Sequence, residues 1–183
     1  MLGTDGWNAT TVRAVCARAR LTPRYFYESF GDLDALLLAV FDEITDEVAE
    51  ATLAAVTPPP GDARATARAA IAAGVAALTG DERKARVMFA EAMGSEALAR
   101  RRRETLRGFA ALVAAQGSAF YGIGEPGDRL VALSATMLVG GLSEAFAAWL
   151  DGHVSATREQ LIDDCTELFV ATGEAAVRLA GVR

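Results

Sequence analysis

Residues 10–30 read TTVRAVCARARLTPRYFYESF and predict two short helices joined by a tight turn, over about 11–18 and 23–29. Thr10 can cap the first helix, because its side-chain oxygen can accept from a free N–H of the first turn. Thr22 can cap the second, with Pro23 in the first turn, where a missing N–H does no harm. Since only four residues, 19–22, separate the helices, the spacing is that of a helix-turn-helix motif.

The apolar side chains of this motif fall on facing sides and predict a small core, formed by Val12, Val15, Ala19, Leu21, Phe26 and Phe30. The second helix keeps four side chains outside: Arg24, Tyr25, Tyr27 and Glu28. Arginine can donate two hydrogen bonds to guanine, and tyrosine can donate to a phosphate. Thr10 and Thr11, at a helix N-terminus, add further donors for phosphate. The spacing alone leaves two alternatives, a DNA-reading motif and a helical hairpin with exposed aromatic side chains.

The charge is unevenly distributed along the chain. The net charge is −6, but the first 30 residues carry four arginines against two acids, so the remaining 153 residues carry −8. A small basic head on an acidic body is typical of a protein that touches DNA at one end, with chance clustering as the alternative. One histidine and two distant cysteines, Cys16 and Cys165, predict neither a disulfide framework nor a metal site. We expect no cofactor.

Beyond the motif the chain shows helical spacing and no strand-like alternation, which predicts an all-α fold. A long helix follows from Leu33 to about Val56, and Pro58 to Gly61 form the clearest linker. Further helices are predicted near 62–78, 81–93, 95–121, 128–151 and 158–180, the last with a capping box at 157–160. The sequence therefore predicts a small head over 1–45, with the helix-turn-helix at about 11–29, and a larger helical body over 46–183.

Two features that the sequence lacks, a membrane-spanning stretch and an N-terminal leader, bear on where the protein is located in the cell. No apolar stretch reaches the roughly 18 residues of a membrane span, because the longest, near 130–142, is interrupted by Ser134, Thr136, Gly140 and Gly141. No cationic and apolar leader opens the chain. We expect a cytoplasmic protein without membrane contact.

Four segments of the head carry a resemblance: residues 6–13, 17–22, 25–30 and 32–37, which read GWNATTVR, ARARLT, YFYESF and DLDALL. They closely resemble the DNA-binding head of the TetR family of transcriptional regulators, and residues 140–152 with the following helix are similar to the last two helices of many members. By this resemblance, five residues match positions that touch DNA: Thr11, Thr22, Arg24, Tyr25 and Tyr27. Tyr27 matches a phosphate-binding position, and Arg24 and Tyr25 match base-reading positions.

The resemblance implies a ligand-responsive repressor that binds a palindromic operator in double-stranded DNA as a homodimer. The helices at about 128–151 and 158–180 would form the dimer. The body would bind a small apolar molecule, and soft or aromatic side chains give the candidate lining: Phe89, Met93, Phe109, Met137 and Glu144. Plain core packing is the alternative for each apolar member, and a surface position is the alternative for Glu144.

Three departures from the family pattern are visible. Arg20 stands in the turn where members usually have glycine, and a left-handed backbone there costs arginine about 1 kcal/mol. Leu33 stands where members often have a phosphate-binding lysine. Met1 to Gly3 match only the end of the family's first helix, so we expect either a natural chain that extends upstream or a poorly ordered head. Without that helix, the near face of residues 33–44 would lose its cover.

Two other classes of protein stay open. Residues 122–127, GIGEPG, superficially resemble a glycine-rich phosphate loop, but no predicted strand precedes them, and no nucleophile and base accompany them. We therefore expect no enzyme. The alternative function is a helical protein-interaction or small-molecule-binding protein with impaired DNA binding, which Leu33 and the incomplete first helix keep open.

Overall fold

The computed structural model describes residues 4, 6, 9–59, 61–89, 95–122 and 128–181. Within these ranges the chain forms eight helices and no strand: α1 (Val12–Ala19), α2 (Pro23–Ser29), α3 (Leu33–Ala55), α4 (Ala63–Thr79), α5 (Glu82–Phe89), α6 (Glu96–Tyr121), α7 (Arg129–Leu150) and α8 (Arg158–Gly181). The predicted all-α fold is confirmed, and the helices begin and end close to their predicted limits. The predicted end of α5 near residue 93 lies outside the described residues.

Side-chain caps fix where several helices begin. The oxygen that caps α1 belongs to Thr11, which accepts from Ala14 N at 3.1 Å, so the prediction of Thr10 as the cap was wrong by one residue. Asp32 caps α3 by accepting from Ala35 N at 2.8 Å. The predicted capping box of α8 is confirmed, because Gln160 N donates to Thr157 Oγ1 at 3.2 Å and Thr157 N donates to Gln160 Oε1 at 2.9 Å.

The chain divides into two compact units that are each discontinuous in sequence. The first unit comprises Met1–Ala49 and Ala76–Arg103, and the second comprises Glu50–Val75 and Glu104–Arg183. The helix-turn-helix therefore shares its unit with α5 and the start of α6, which the sequence assigned to the body. The proline-rich loop between α3 and α4 has both flanks in the second unit, so it does not link the head to the body as predicted.

The core of the first unit is built from large side chains. Leu37, Phe41 and Leu98 are fully buried, and Leu38 and Met88 pack against them. Polar contacts surround this cluster: Arg101 binds the Asp42 carboxylate through Nε at 2.6 Å and through a terminal nitrogen at 3.0 Å. Ser95 Oγ donates to Asp34 Oδ1 at 3.0 Å, and Lys84 pairs with Glu47. Residues 82–89 and 95–103 thus brace the first half of α3, the helix that follows the helix-turn-helix.

The second unit contains a buried cluster of small side chains, and it also buries larger ones, namely Ile71, Phe146, Leu161 and Ile162. Ala110, Ala114, Ala135 and Val139 form its buried cluster on α6 and α7. Leu106, Phe109, Val113 and Val131 pack around them. Helices α4 and α8 are joined by exposed ion pairs, those of Arg68 with Glu159 and Asp163 and that of Arg64 with Glu167.

Helix α7 combines length with an apolar surface. Among the described residues it is the one helix long and apolar enough by composition to cross a membrane, with a mean hydropathy of 1.6 in its best 18-residue window. The expectation that no stretch meets this test was wrong, because a few serine, threonine and glycine residues do not outweigh the leucine, valine and alanine around them. Only 11% of that window is buried. Most side chains of this apolar helix are therefore half-buried or exposed in the single chain.

Candidate DNA-binding site

The turn between α1 and α2 depends on one left-handed residue. Arg20 has φ 58° and ψ 37°, and its N–H donates to Ala17 O at 3.3 Å. Leu21 N then donates to Cys16 O at 2.9 Å, which closes the end of α1. The predicted left-handed position is confirmed, and an arginine there costs about 1 kcal/mol compared with glycine. The hydrogen bonds of the turn offset part of this cost and hold α2 at a fixed angle to α1.

The small core under the two helices differs in part from its prediction. Cys16 and Phe26 are its buried members, and the ring of Phe26 lies 5.7 Å from that of Phe30. Leu21 and Ala19 are exposed, so their predicted place in this core was wrong. Helical periodicity pointed to Val12, Val15 and Ala19, whereas the most buried side chain of α1 is Cys16, one position beyond Val15. A free cysteine behaves as a small apolar residue.

Helix α2 presents the predicted reading side chains to solvent. The Arg24 side chain is 85% exposed, and Tyr25 and Tyr27 are 56% and 61% exposed. Phe26 lies between the two tyrosines in sequence and is buried, with its ring 5.3 Å from that of Tyr27 in an edge-to-face arrangement. Burial of Phe26 anchors the helix, because it places one side of α2 on the core. The opposite side then carries one cation and two phenol groups.

Two threonines flank this surface with hydroxyl groups. Thr22 is the N-cap residue of α2 but makes no side-chain capping hydrogen bond. Thr11 uses its oxygen as an acceptor for Ala14 N, so its O–H can still donate to a phosphate. Thr10 behaves differently from its prediction. It is buried, and its hydroxyl donates to Gly6 O at 2.9 Å, so it cannot serve as a phosphate donor.

Arg24 carries a partner that the sequence did not predict. Its Nε donates to Glu28 Oε1 at 2.9 Å, one helical turn along α2. The spacing of four residues could have indicated this pair, since side chains at i and i+4 lie on one face of a helix. Glu28 thus places a negative charge within the predicted reading surface.

The five candidate ligand residues of the body lie in different surroundings. Phe89 is half-buried at the end of α5 in the first unit. In the second unit, Phe109 packs on the alanine cluster of α6 and α7, whereas Met137 and Glu144 are exposed on α7. Met93 lies outside the described residues. The pocket prediction stays a prediction.

The first unit contains a cavity of about 440 Å³. Its apolar lining comes from Val15 of α1, Leu36, Val40 and Ile44 of α3, and Val87 of α5. Its rim is charged, with Arg18, Glu43, Glu47 and the Asp81–Arg83–Lys84 run. Hydrogen bonds from Arg83 lower the pKa of Asp81 to about 2. The apolar lining includes the face of α3 that the sequence predicted to lack a cover.

A short exposed helix with cationic and phenolic side chains, held by a tight turn on a helical scaffold, has the geometry of a helix-turn-helix, a motif of DNA-binding proteins. Residues 1–40 match the family model described as bacterial regulatory proteins of the tetR family. The helix-turn-helix head of the chain is therefore similar to that of TetR-family transcriptional regulators.

Two solved structures share the fold. A protein from Pseudomonas aeruginosa PAO1, described as a candidate transcriptional regulator, superposes with a TM-score of 0.71 at 21% identity, covering 98% of this chain and 88% of its own. A protein of unknown function from Rhodococcus sp. RHA1 superposes with a TM-score of 0.58 at 19% identity, covering 98% and 89%. No curated protein sequence gives a significant match.

Proposed function

We propose that this chain is a transcriptional regulator of the TetR type, a ligand-responsive repressor that binds a palindromic operator as a homodimer in the cytoplasm. The observation that carries the proposal is the surface of α2, where Arg24, Tyr25 and Tyr27 are exposed beside the buried Phe26. In a helix-turn-helix the second helix enters the major groove. Side chains on its outer side then meet base edges and the flanking phosphates.

Each proposed contact follows from the chemistry of its side chain. Arg24 donates to a guanine edge, because a guanidinium offers two parallel N–H groups to O6 and N7. Tyr25 reads a neighbouring base, and Tyr27 donates its phenolic O–H to a phosphate. Thr11 and Thr22 add hydroxyl donors at the N-termini of α1 and α2, where the helix dipole favours an anion. Leu33 supplies no charge, so the phosphate contact of a lysine at that position is absent.

The surface of the second unit supports the homodimer. Large exposed apolar side chains occur on both of its last helices: Leu133, Met137 and Leu150 on α7, and Leu168 and Leu179 on α8. Soluble monomers rarely expose such side chains together, and their presence marks an interaction surface. A two-fold homodimer suits a palindromic operator, since each copy then reads one half-site. We propose that α7 and α8 pair with their copies.

The second unit also supports the ligand proposal. Two of its buried hydroxyl oxygens, Thr66 Oγ1 on α4 and Ser118 Oγ on α6, have no hydrogen-bond partner in the described part of the chain. A buried hydroxyl without a partner costs roughly 1–3 kcal/mol. A small, largely apolar molecule with a polar group would remove that cost at the hydroxyl that it reached. Such a ligand releases DNA only if it binds the two states of the regulator differently by a few kcal/mol. A binder that leaves operator affinity unchanged would contradict a role in induction.

The experiment that tests the proposal is selection of bound DNA from a random pool, followed by titration of the selected site at several salt concentrations. We expect an inverted-repeat motif and a negative slope of log affinity against log salt, with about 0.9 per phosphate contact. Arg24→Ala should weaken binding to the selected site by about 5- to 150-fold, the range for one bidentate base contact. Tyr27→Phe should weaken it less, and by a similar factor on every sequence.

The control for Arg24→Ala is Arg107→Ala, which removes an exposed arginine of α6 in the second unit. It should leave DNA affinity unchanged. A slope near zero, or a pool that yields no motif, would exclude the operator-binding proposal and favour the interaction-protein alternative.

A further inference from the structure

The pair of Arg24 and Glu28 is not explained by the stability of α2. Both side chains are well exposed, at 85% and 50%, and exposed pairs of this kind add little to folding. Their order along the helix is also the less favourable one, since an acid four residues before a base stabilises a helix more than the reverse. Glu28 lies in the last turn of α2, where the helix dipole disfavours an acid, and Arg24 lies in the first turn, where it disfavours a base.

Glu28 also opposes general attraction to DNA. It is exposed on the helix that enters the groove, where its carboxylate faces a polyanion. Replacing it with a neutral residue would add one net positive charge to the reading surface. A residue that contributes little to folding and opposes non-specific binding needs another role at this position.

The geometry of the pair indicates that role. Glu28 engages Nε of Arg24 at 2.9 Å, and the structure gives Arg24 no other partner among the described residues. The two terminal nitrogens therefore remain available, and their outer N–H groups match the O6 and N7 acceptors of guanine. An arginine without such a partner can turn toward a phosphate, which attracts it regardless of sequence.

We propose that Glu28 is a specificity-determining positioning residue, which holds Arg24 toward a guanine edge and away from the phosphates. The inference rests on the proposed reading role of α2. The carboxylate lowers the affinity for DNA of any sequence and raises the preference for the guanine that Arg24 reads. Glu28 itself acts through Arg24.

The test compares wild-type protein with Glu28→Ala and Glu28→Gln by selection of bound DNA and by salt titration on a random duplex. Glu28→Ala removes the acceptor, so the preference for guanine at the Arg24 position should fall roughly three- to tenfold, part of the discrimination of a full bidentate contact. Its binding to the random duplex should strengthen, and the salt slope should steepen by about 0.9 for each arginine that gains a phosphate. Glu28→Gln keeps an acceptor for Nε and should retain more of the guanine preference than Glu28→Ala.

Asp46→Asn is the matched control, because Asp46 is an exposed acid of α3 in the same unit but outside the helix-turn-helix. It changes the charge equally and should leave the guanine preference as it is. The inference is overturned if Glu28→Ala selects the wild-type motif. It is also overturned if Glu28→Ala and Asp46→Asn change the salt slope by the same amount. Circular dichroism verifies that each variant is folded. Failure of the proposed function looks different, because wild-type protein would then select no motif at all.

Discussion

The two units of the chain differ in how many large apolar side chains they leave exposed. The first unit buries large side chains completely, with Leu37, Phe41 and Leu98 at its centre and the Asp42–Arg101 pair beside them. The second unit buries Phe146, Leu161 and Ile162 as well as its alanine cluster, yet large side chains also stay on its surface, among them Leu133, Met137 and Leu168. Both units thus have a buried core, and the second in addition exposes large apolar side chains on its last two helices.

This difference fits the two tasks of the proposed regulator. A reading helix must be held at a defined angle, which a core of large interlocking side chains provides. A dimer surface must stay apolar and accessible until a second copy covers it. The comparison therefore predicts that substitutions in the first unit act on folding, and that substitutions on the outer face of the second unit act on association.

The largest expected effect is that of Leu37→Ala in the first unit. Leu37 is fully buried against Phe41 and Leu98, so its truncation removes apolar contacts and leaves a cavity. We expect the free energy of unfolding to fall by about 2–5 kcal/mol, measured by urea denaturation. DNA binding should fall with it, because α3 supports the helix-turn-helix.

Leu53→Ala is the matched control, since it is the same substitution on the same helix at a residue that is 62% exposed. Its effect should stay within about 0.5 kcal/mol. Similar losses for both leucines would show that burial does not distinguish the two positions, and the comparison of the two units would fail.

The second largest expected effect is on the proposed homodimerisation through the second unit. Leu168→Glu places a charge on the exposed apolar face of α8, and we expect it to weaken homodimerisation by at least about tenfold, equal to 1.4 kcal/mol. Analytical ultracentrifugation without detergent measures this change. Leu112→Glu on α6 is the control, because Leu112 is exposed to a similar degree on a helix outside the proposed dimer surface.

The same experiment separates the proposed dimer from a membrane role of α7. A wild-type chain that sediments as a monomer, or that partitions into lipid vesicles, would contradict the dimer. If Leu112→Glu disrupted the dimer as strongly as Leu168→Glu, the interface would have to lie elsewhere.

Local features of the fold were predictable from the sequence because local chemistry determines them. The capping box at Thr157 and Gln160 and the proline at the start of α2 each depend on a few neighbouring residues. The left-handed backbone at Arg20 was predicted because members of the TetR family usually have glycine at that position of the turn. The exposed Arg24, Tyr25 and Tyr27 followed from the phase of α2 once Phe26 was assigned to the core.

Contacts between distant parts of the chain were not predictable in this way. The Ser95–Asp34 hydrogen bond joins residues 61 positions apart, and the Arg101–Asp42 pair joins residues 59 apart. No periodicity encodes such pairings, so α5 and the start of α6 were assigned to the body. Burial of Cys16 in place of Ala19 also escaped prediction, because the phase of an eight-residue helix is set by its neighbours as much as by its own pattern.

The smallest expected effect examines the close helix packing of the second unit. A Cβ added at Gly173 of α8 would lie 3.0 Å from Tyr121 Oη and 3.2 Å from the Tyr121 ring, whereas one added at Gly108 of α6 would meet nothing within 4 Å. Alanine is favoured over glycine inside a helix, so Gly108→Ala should raise the free energy of unfolding by about 0.5–1 kcal/mol. At Gly173 the same gain is opposed by crowding against Tyr121, which costs about 1–3 kcal/mol, and we expect a net loss near 1 kcal/mol.

Thermal or urea unfolding of both variants measures the difference, and Gly173→Ala in a Tyr121→Ala background shows its source. Burial raises the pKa of Tyr121, and the Glu174 carboxylate raises it further, so the phenol stays neutral and the crowding is steric. Without the phenol ring, alanine at position 173 should recover the gain seen at position 108. If it does not, the glycine of α8 serves some contact other than the one with Tyr121, and close packing in the second unit would rest on its alanine cluster alone.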